Sequence, residues 1–521
     1  MAESKNTLKH IEGSDHEAQK VASEEIECGS NGQLNTADES HEDAVGYSQY
    51  REGLRLTISP SEERRVRWKI DLIVLPIFFW TQCLQFMDKT ALNYANLFDY
   101  QKALKLQGTD FNYLSAMVYA GYFFGQYPCG WLIGRYPAQK VLGISCLLWG
   151  LMVVLLTQCR TFSSALAVRF FMGMFEAAVT PGLTLMTGFW YRRKEIPLRQ
   201  CIWYSSLGIG GIVGSYISTG VATLPTNSTP ERWQIIFYVL GGATMLWAVI
   251  LYFLLADTPA NAMFLTKRER IIAVWRSSEN ETGIKNKVFK RKQALLGLWD
   301  PKTLLLFTSV FAAAIPNGVV NSFSTVIIRD MGFSTSKTTQ LKSVGDAVQV
   351  VALIIGGTIT LKVPNSRLLT ATAANIVCTV SAALMAYLPR SNTWGRLVCF
   401  WLVNCQSVGF TISLVTISSN MGGYTHRSIA SAMVFTAYCW GNFAGPFVVK
   451  QSEAPTYPSA TAGLLAGYSI KFGCHLALLA YMFFTNRYRN RKYGPANKAA
   501  SNEAGMQDLT EFENKNFRYV L

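Results

Sequence analysis

The chain has 521 residues, half of them hydrophobic and only 16% charged, with a formal net charge of +15. Soluble chains carry about a quarter charged residues, so this composition excludes an ordinary string of soluble domains. The charge is also uneven. Residues 1–60 hold 5 Lys/Arg and 12 Asp/Glu, a sum of −7, which leaves +22 for the remainder. Those basic residues sit at the ends of apolar runs, where they report membrane topology rather than nucleic-acid binding.

In chain order, residues 1–69 are polar, acidic and rich in Ser and Glu, and a disordered tail is predicted. No secretory signal leads the chain, so the first apolar run is expected to act as an uncleaved insertion signal. Twelve runs then approach the roughly 20 residues that span a bilayer as a helix. The first six are 70–95, 112–133, 139–158, 161–189, 199–224 and 234–256. A polar central loop, 257–302, follows. The second six are 303–328, 338–360, 366–389, 394–418, 427–450 and 464–486, and 487–521 is a second polar tail. The expected fold is an all-α membrane protein with twelve transmembrane helices in two six-helix halves, 70–256 and 303–486.

Orientation follows from Lys and Arg near the span ends. One set of loops carries Arg64, Arg65, Arg67 and Lys69, then Arg135 and Lys140, then Arg192, Arg193, Lys194 and Arg199. The central loop in the same set holds ten Lys/Arg against five Asp/Glu, and the set ends on Arg487, Arg489, Arg491 and Lys492. The alternate loops are sparser. Both tails and the central loop are therefore expected to be cytoplasmic. Asn227-Ser-Thr then lies outside as a glycosylation sequon. The eleven Cys form no CxxC pair and read as apolar packing residues. With five His, three in the first tail, no metal site is expected.

Several strings narrow this organisation to a family. They are Gly121-Tyr-Phe-Phe-Gly125-Gln126-Tyr-Pro128-Cys-Gly130 and Arg169-Phe-Phe-Met-Gly173-Met-Phe-Glu176-Ala-Ala-Val-Thr-Pro181-Gly182, then Ile315-Pro-Asn317-Gly with Gly332-Phe. Later come Gly423-Tyr-Thr-His-Arg427, Gly441-Asn442-Phe-Ala-Gly445-Pro446 and the tail Asp508 to Leu521. From about residue 66 onward the chain resembles the fungal allantoate permease family, anion:cation symporters of the major facilitator superfamily. The resemblance implies proton-driven uptake of a small organic anion, and a major facilitator fold whose halves rock about a central site. Allantoate, ureidosuccinate, nicotinate and other vitamins, and sulfur-containing acids lie within that range. No cofactor is expected, and the protein is expected to be a monomer in the plasma membrane, with the endoplasmic reticulum as the alternative. Two departures stand out. The loop between spans two and three keeps Arg135 and Lys140 as gating charges but lacks the usual Asp. Span eight carries Lys342-Ser-Val-Gly-Asp346 where a Pro is common, a pair whose role the sequence leaves open.

Charges inside spans cost about 2.5–3.5 kcal/mol each on insertion scales, so they should face a partner or a wet cavity. Arg169 and Glu176, seven residues apart, fall on one helix face with Gly173 between them. Arg169 offers a fork for a carboxylate, and Glu176 is the expected proton carrier, with Gly173 leaving room for substrate. Asp88 and Lys89 point about 100° apart, so one can face the cavity and the other a neighbouring helix. Asp88 is the second proton-coupling candidate and Lys89 the second anion-binding one. Gln126, Asn317, Asn442 and Trp440 complete the expected substrate contacts. No nucleotide loop or nucleophile–base arrangement is present, so neither an ATP-driven pump nor an enzyme is expected, and proton-coupled symport is the activity that the resemblance implies. A uniporter or exporter on the same fold and a transport-inactive nutrient sensor are the alternatives.

Overall fold

The computed structural model describes Gln49, Glu52, Gly53 and residues 56–521, apart from Arg193, residues 226–227, 279–288, Arg390 and Gln507. Most of the acidic tail, the Asn227 sequon and part of the central loop thus lie outside the described residues. The chain divides into Met1–Thr57 and Ile58–Leu521. In the first unit Gln49, Glu52 and Gly53 are helical. The second holds every element named below.

The helices are α1 (Pro60–Ala95), α2 (Asp110–Arg135), α3 (Ala138–Leu155), α4 (Phe162–Glu176), α5 (Val179–Trp190), α6 (Ile196–Tyr204), α7 (Ser206–Ala222) and α8 (Arg232–Leu254). The central loop contributes α9 (Lys267–Ser278) and α10 (Arg291–Trp299). Then come α11 (Pro301–Asp330), α12 (Thr335–Lys362), α13 (Arg367–Tyr387), α14 (Thr393–Leu402), α15 (Gln406–Asn420), α16 (Tyr424–Val448), α17 (Pro458–Tyr493) and α18 (Lys498–Met506). Among the described residues, nine helical stretches are long and apolar enough to cross a membrane. The chain is a multi-pass, all-α membrane protein. Of the twelve expected spans, those at α2, α6–α7 and α16 are helical but fall short of that measure.

Helix starts follow local chemistry. Ser59 caps α1 in a capping box with Glu62, and Pro60 takes the first position, ten residues before the expected span. Asp300 caps α11 ahead of Pro301. Three expected single spans are broken. The run 161–189 splits at Ala177 and Ala178, because Pro181 lacks an N–H and crowds the carbonyl four residues back, at Ala177. The run 199–224 splits at Ser205, whose hydroxyl bonds the Ile202 carbonyl at 2.6 Å. The run 394–418 passes through a tighter turn, Val403–Cys405, where the Asn404 amide bonds the Trp401 carbonyl at 3.1 Å. These breaks set Glu176 and Asn404 at helix ends in the middle of the molecule.

The last residues are strapped onto the helix ends. Asn420 exchanges two hydrogen bonds with the Val520 backbone at 2.8 and 2.9 Å, and the Leu521 carbonyl accepts from the Arg367 N–H at 3.0 Å. Beneath the strap, Lys302 pairs with Glu511 at 2.8 Å and Asp300 at 2.9 Å, and His426 lies 3.3 Å from Asp300. The Lys302 ammonium sits between the two carboxylates, and His426, whose imidazole they hold up to about 9 against burial, supplies the second positive charge when protonated. Burial alone would raise the Glu511 carboxyl, but Lys302 and His426 hold it down to about 2. Because this lies below the ordinary 4.5, the strap's stabilisation is complete above that value and is lost as pH falls toward about 2. Glu511→Gln leaves Lys302 short of a partner and should cost about 3–5 kcal/mol. Thermal unfolding of purified protein should read this as a marked fall in midpoint.

Candidate substrate and proton site

Between the spans lies a narrow cavity of about 50 Å³. That holds a few waters and no substrate, so the site must widen during transport. Its wall carries amides from several helices, among them Gln82, Gln85, Asn317 and Gln349, and the charged side chains Lys89, Lys342 and Asp346.

Lys89, on α1, reaches Glu176 at the end of α4, with Nζ 2.6 Å from Oε1 and both side chains buried. The ammonium also sits 5.0 Å from the centre of the Tyr122 ring, a cation–π distance. Lys89 faces the cavity and Glu176 stands behind it. Asp88 turns the other way, accepting from the Thr244 hydroxyl of α8 at 2.9 Å, and does not line the cavity.

Arg169 is placed differently from the sequence expectation. Its Nε donates to the Leu114 carbonyl of α2 at 3.2 Å, and it makes no ion pair among the described residues. It lines a smaller cleft with Lys89, Tyr119 and Asn321. Gly173 opens no space either: a Cβ there would run into the Val118 carbonyl. Gly121 and Gly125 of α2 approach the α4 backbone in the same way, so these glycines let two helices touch. Arg169 and Glu176 both lie on α4, but the carboxylate's partner comes from another helix.

Asn317 lines the cavity and donates to the Asn442 amide oxygen at 2.8 Å; Asn442 itself is buried behind it. Gln406 donates to Asn317 at 3.0 Å. Gln126 bonds Thr436 at 2.9 Å and lines a separate cavity beside Arg427. Trp440 is 47% exposed and packs edge-on against Phe443, away from the cavity. Arg135 and Lys140 are exposed, Arg135 lying 5.5 Å from the Trp131 ring. Instead, the N-terminal parts of α1 and α6 and the last turn of α9 are tied by ion pairs: Arg199 to Asp71 and Arg276 to Glu195, each at 2.9 Å.

Sequence reasoning missed Lys471 and His475 on α17. Lys471 donates to the Gln406 carbonyl at 2.7 Å, and His475 is held between Asn375 at 2.6 Å and Ser413 at 2.9 Å. The signal was available, since a Lys and a His one turn apart interrupt the last apolar run.

A bundle of membrane-crossing helices around a charged, amide-lined cavity is built as a carrier. The chain belongs to the Major Facilitator Superfamily, whose pattern matches residues 78–446. It is therefore a secondary-active transporter, of a family of carriers rather than enzymes. An uncharacterized transporter of Schizosaccharomyces pombe is 33% identical over 89% of this chain and 88% of its own. The allantoate permease of Saccharomyces cerevisiae is 27% identical over 90% of this chain and 89% of its own, and a thiamine pathway transporter of the same yeast is 30% identical over 88% and 86%. Among solved structures, a proton:xylose symporter superposes with a TM-score of 0.63, covering 82% of this chain and 97% of that one at 12% identity. At that identity the likeness concerns the fold alone.

Proposed function

We propose that this carrier is a proton-coupled importer of a small organic anion, of the allantoate permease kind. Its transmembrane part counts twelve spans in two six-helix halves, with α2, α6–α7 and α16 completing the nine apolar ones. Both tails and the central loop face the cytoplasm of a cell whose plasma membrane holds the protein. The observation that carries the functional reading is the Lys89–Glu176 pair at 2.6 Å with the ammonium on the cavity wall.

Charge balance turns that pair into a coupling device. In the empty carrier the two charges cancel. A proton on Glu176 leaves Lys89 uncompensated until an anion from the cavity replaces the carboxylate. A proton alone leaves one positive charge, and an anion alone leaves one negative. Each unbalanced state costs on the order of 3 kcal/mol inside a bilayer, roughly a hundredfold in population. Only the empty and the doubly loaded carrier are then free to change conformation. Asp88 in this scheme is a reserve proton site on the α8 side, and Arg169 adds positive potential behind Lys89. The 27% identity to an allantoate permease supports a carboxylate substrate.

The test is uptake across a panel of ureides, vitamins and sulfur-containing acids with and without a protonophore. Accumulation of at least one anion should collapse when the proton gradient is removed. Accumulation that ignores the protonophore would point to a uniporter or to another driving ion.

A further inference from the structure

Besides Lys89–Glu176, a second ion pair stands at the cavity. Lys342 and Asp346 stand one turn apart on α12, with Nζ and Oδ2 2.7 Å apart and both side chains buried on the cavity wall. We propose that this pair is a second anion-binding point of the same cavity, so that the transported substrate carries two anionic groups, one for Lys89 and one for Lys342. The inference rests on the organic-anion reading and extends it to dianions.

Three observations support it. First, the place is shaped for an acid. Asp346 lies against the glycine face of α7, where a Cβ on Gly211 would collide with its carboxyl group and one on Gly208 with its backbone. A purely structural contact between α7 and α12 would be met by apolar side chains, since a buried ion pair gains little stability over a well-packed apolar pair.

Second, Lys342 is oriented as Lys89 is. Its ammonium lies 5.4 Å from the centre of the Tyr94 ring, on α1, and that phenol is fixed by donating to the Gly211 carbonyl at 3.0 Å. Each lysine thus faces the cavity over a tyrosine and is neutralised by one carboxylate that substrate can displace. Third, Lys89, Lys342 and Asp346 are the charged residues on the cavity wall. Among the described residues everything else there is amide, hydroxyl, aromatic or aliphatic, so none of them besides Asp346 sets a fixed negative charge on the wall against a second anion. The groups facing Asp346 are Lys342, the Tyr94 phenol and the α7 backbone. When both lysines hold substrate, Glu176 and Asp346 each keep a proton, and a dianion crosses with two protons.

The experiment uses the full chain in proteoliposomes and three matched probe pairs in which one carboxylate becomes its carboxamide. These are succinate and succinamate, N-carbamoyl-aspartate and N-carbamoyl-asparagine, and pyridine-2,3-dicarboxylate and its monoamide. The dianion of at least one pair should be preferred by about tenfold or more. Lys342→Met should pull that ratio toward one, and Lys342→Arg should restore part of it. Because Lys342→Met strands Asp346, the double variant Lys342→Met with Asp346→Leu removes both charges and keeps the comparison valid if the single variant misfolds. Equal preference within every pair, an unchanged ratio in the double variant, or engagement of no probe overturns the inference. Monoanion uptake that still collapses with a protonophore would leave the symport reading standing alone. A Lys342-dependent dianion preference without proton coupling would do the reverse.

Discussion

Glu176→Gln should abolish concentrative uptake while substrate exchange across the membrane continues. Glutamine keeps the shape of the side chain and its place behind Lys89, but it cannot carry a proton or neutralise the ammonium. Lys89 is then permanently free for an anion, and the loaded state is charge-balanced without a proton. Entry and exit of labelled substrate against unlabelled substrate persists, because the loaded carrier still changes conformation. The empty carrier now holds an uncompensated cation in the bilayer and returns slowly, by roughly a hundredfold if about 3 kcal/mol is lost. Net uptake driven by an inward proton gradient should fall by that order, and counterflow should remain measurable. Proton-driven accumulation at the wild-type level in this variant would remove Glu176 from the coupling path.

The sequence made Lys89 and Glu176 visible for one physical reason: a charge within an apolar run is expensive and rarely accidental. It could not pair them. Helical spacing relates residues on one helix, so it joined Arg169 to Glu176 and Lys342 to Asp346. The second pair forms at 2.7 Å. The first does not form a contact, because seven residues of helix set the two side chains about 10 Å apart along α4, and Glu176 meets Lys89 of α1 instead. Glycines were equally ambiguous. Gly210 and Gly214 face Cys83 and Tyr94 of α1, and Gly173, which reads as an opening in the sequence, meets the Val118 carbonyl of α2. A glycine marks a close approach without saying whether backbone or ligand approaches. The aromatic and amide candidates divided for the same reason. Asn317 faces the cavity while Trp440, with the same local signature of polar and small neighbours, faces outward. Which face of a span looks inward is decided by its neighbours, and a single span does not encode them.

Lys89 is expected to be the residue that holds the substrate's anionic group, and replacing it should have the largest effect on binding. Lys89→Met alone strands Glu176 in the interior, and breaking a buried pair from one side costs about 3–5 kcal/mol of stability. Loss of transport in that variant would therefore be uninformative. The double variant Lys89→Met with Glu176→Gln removes both charges and should reach the membrane, while substrate affinity falls by roughly ten- to 150-fold, the value of one charge-assisted hydrogen bond of about 1.5–3 kcal/mol. Arg169→Lys provides the contrast. Arg169 holds the Leu114 carbonyl through Nε and lines the cleft beside Lys89 without touching Glu176. A lysine there keeps the positive potential and loses the fork, so affinity should change by less than in the double variant. The opposite order, with near-normal affinity in Lys89→Met/Glu176→Gln and a collapse in Arg169→Lys, would move the anion site from the α1–α4 pair to Arg169. Affinity measured on purified protein, with thermal unfolding as the check on folding, separates the two, because the competing sites predict opposite rankings of the same variants.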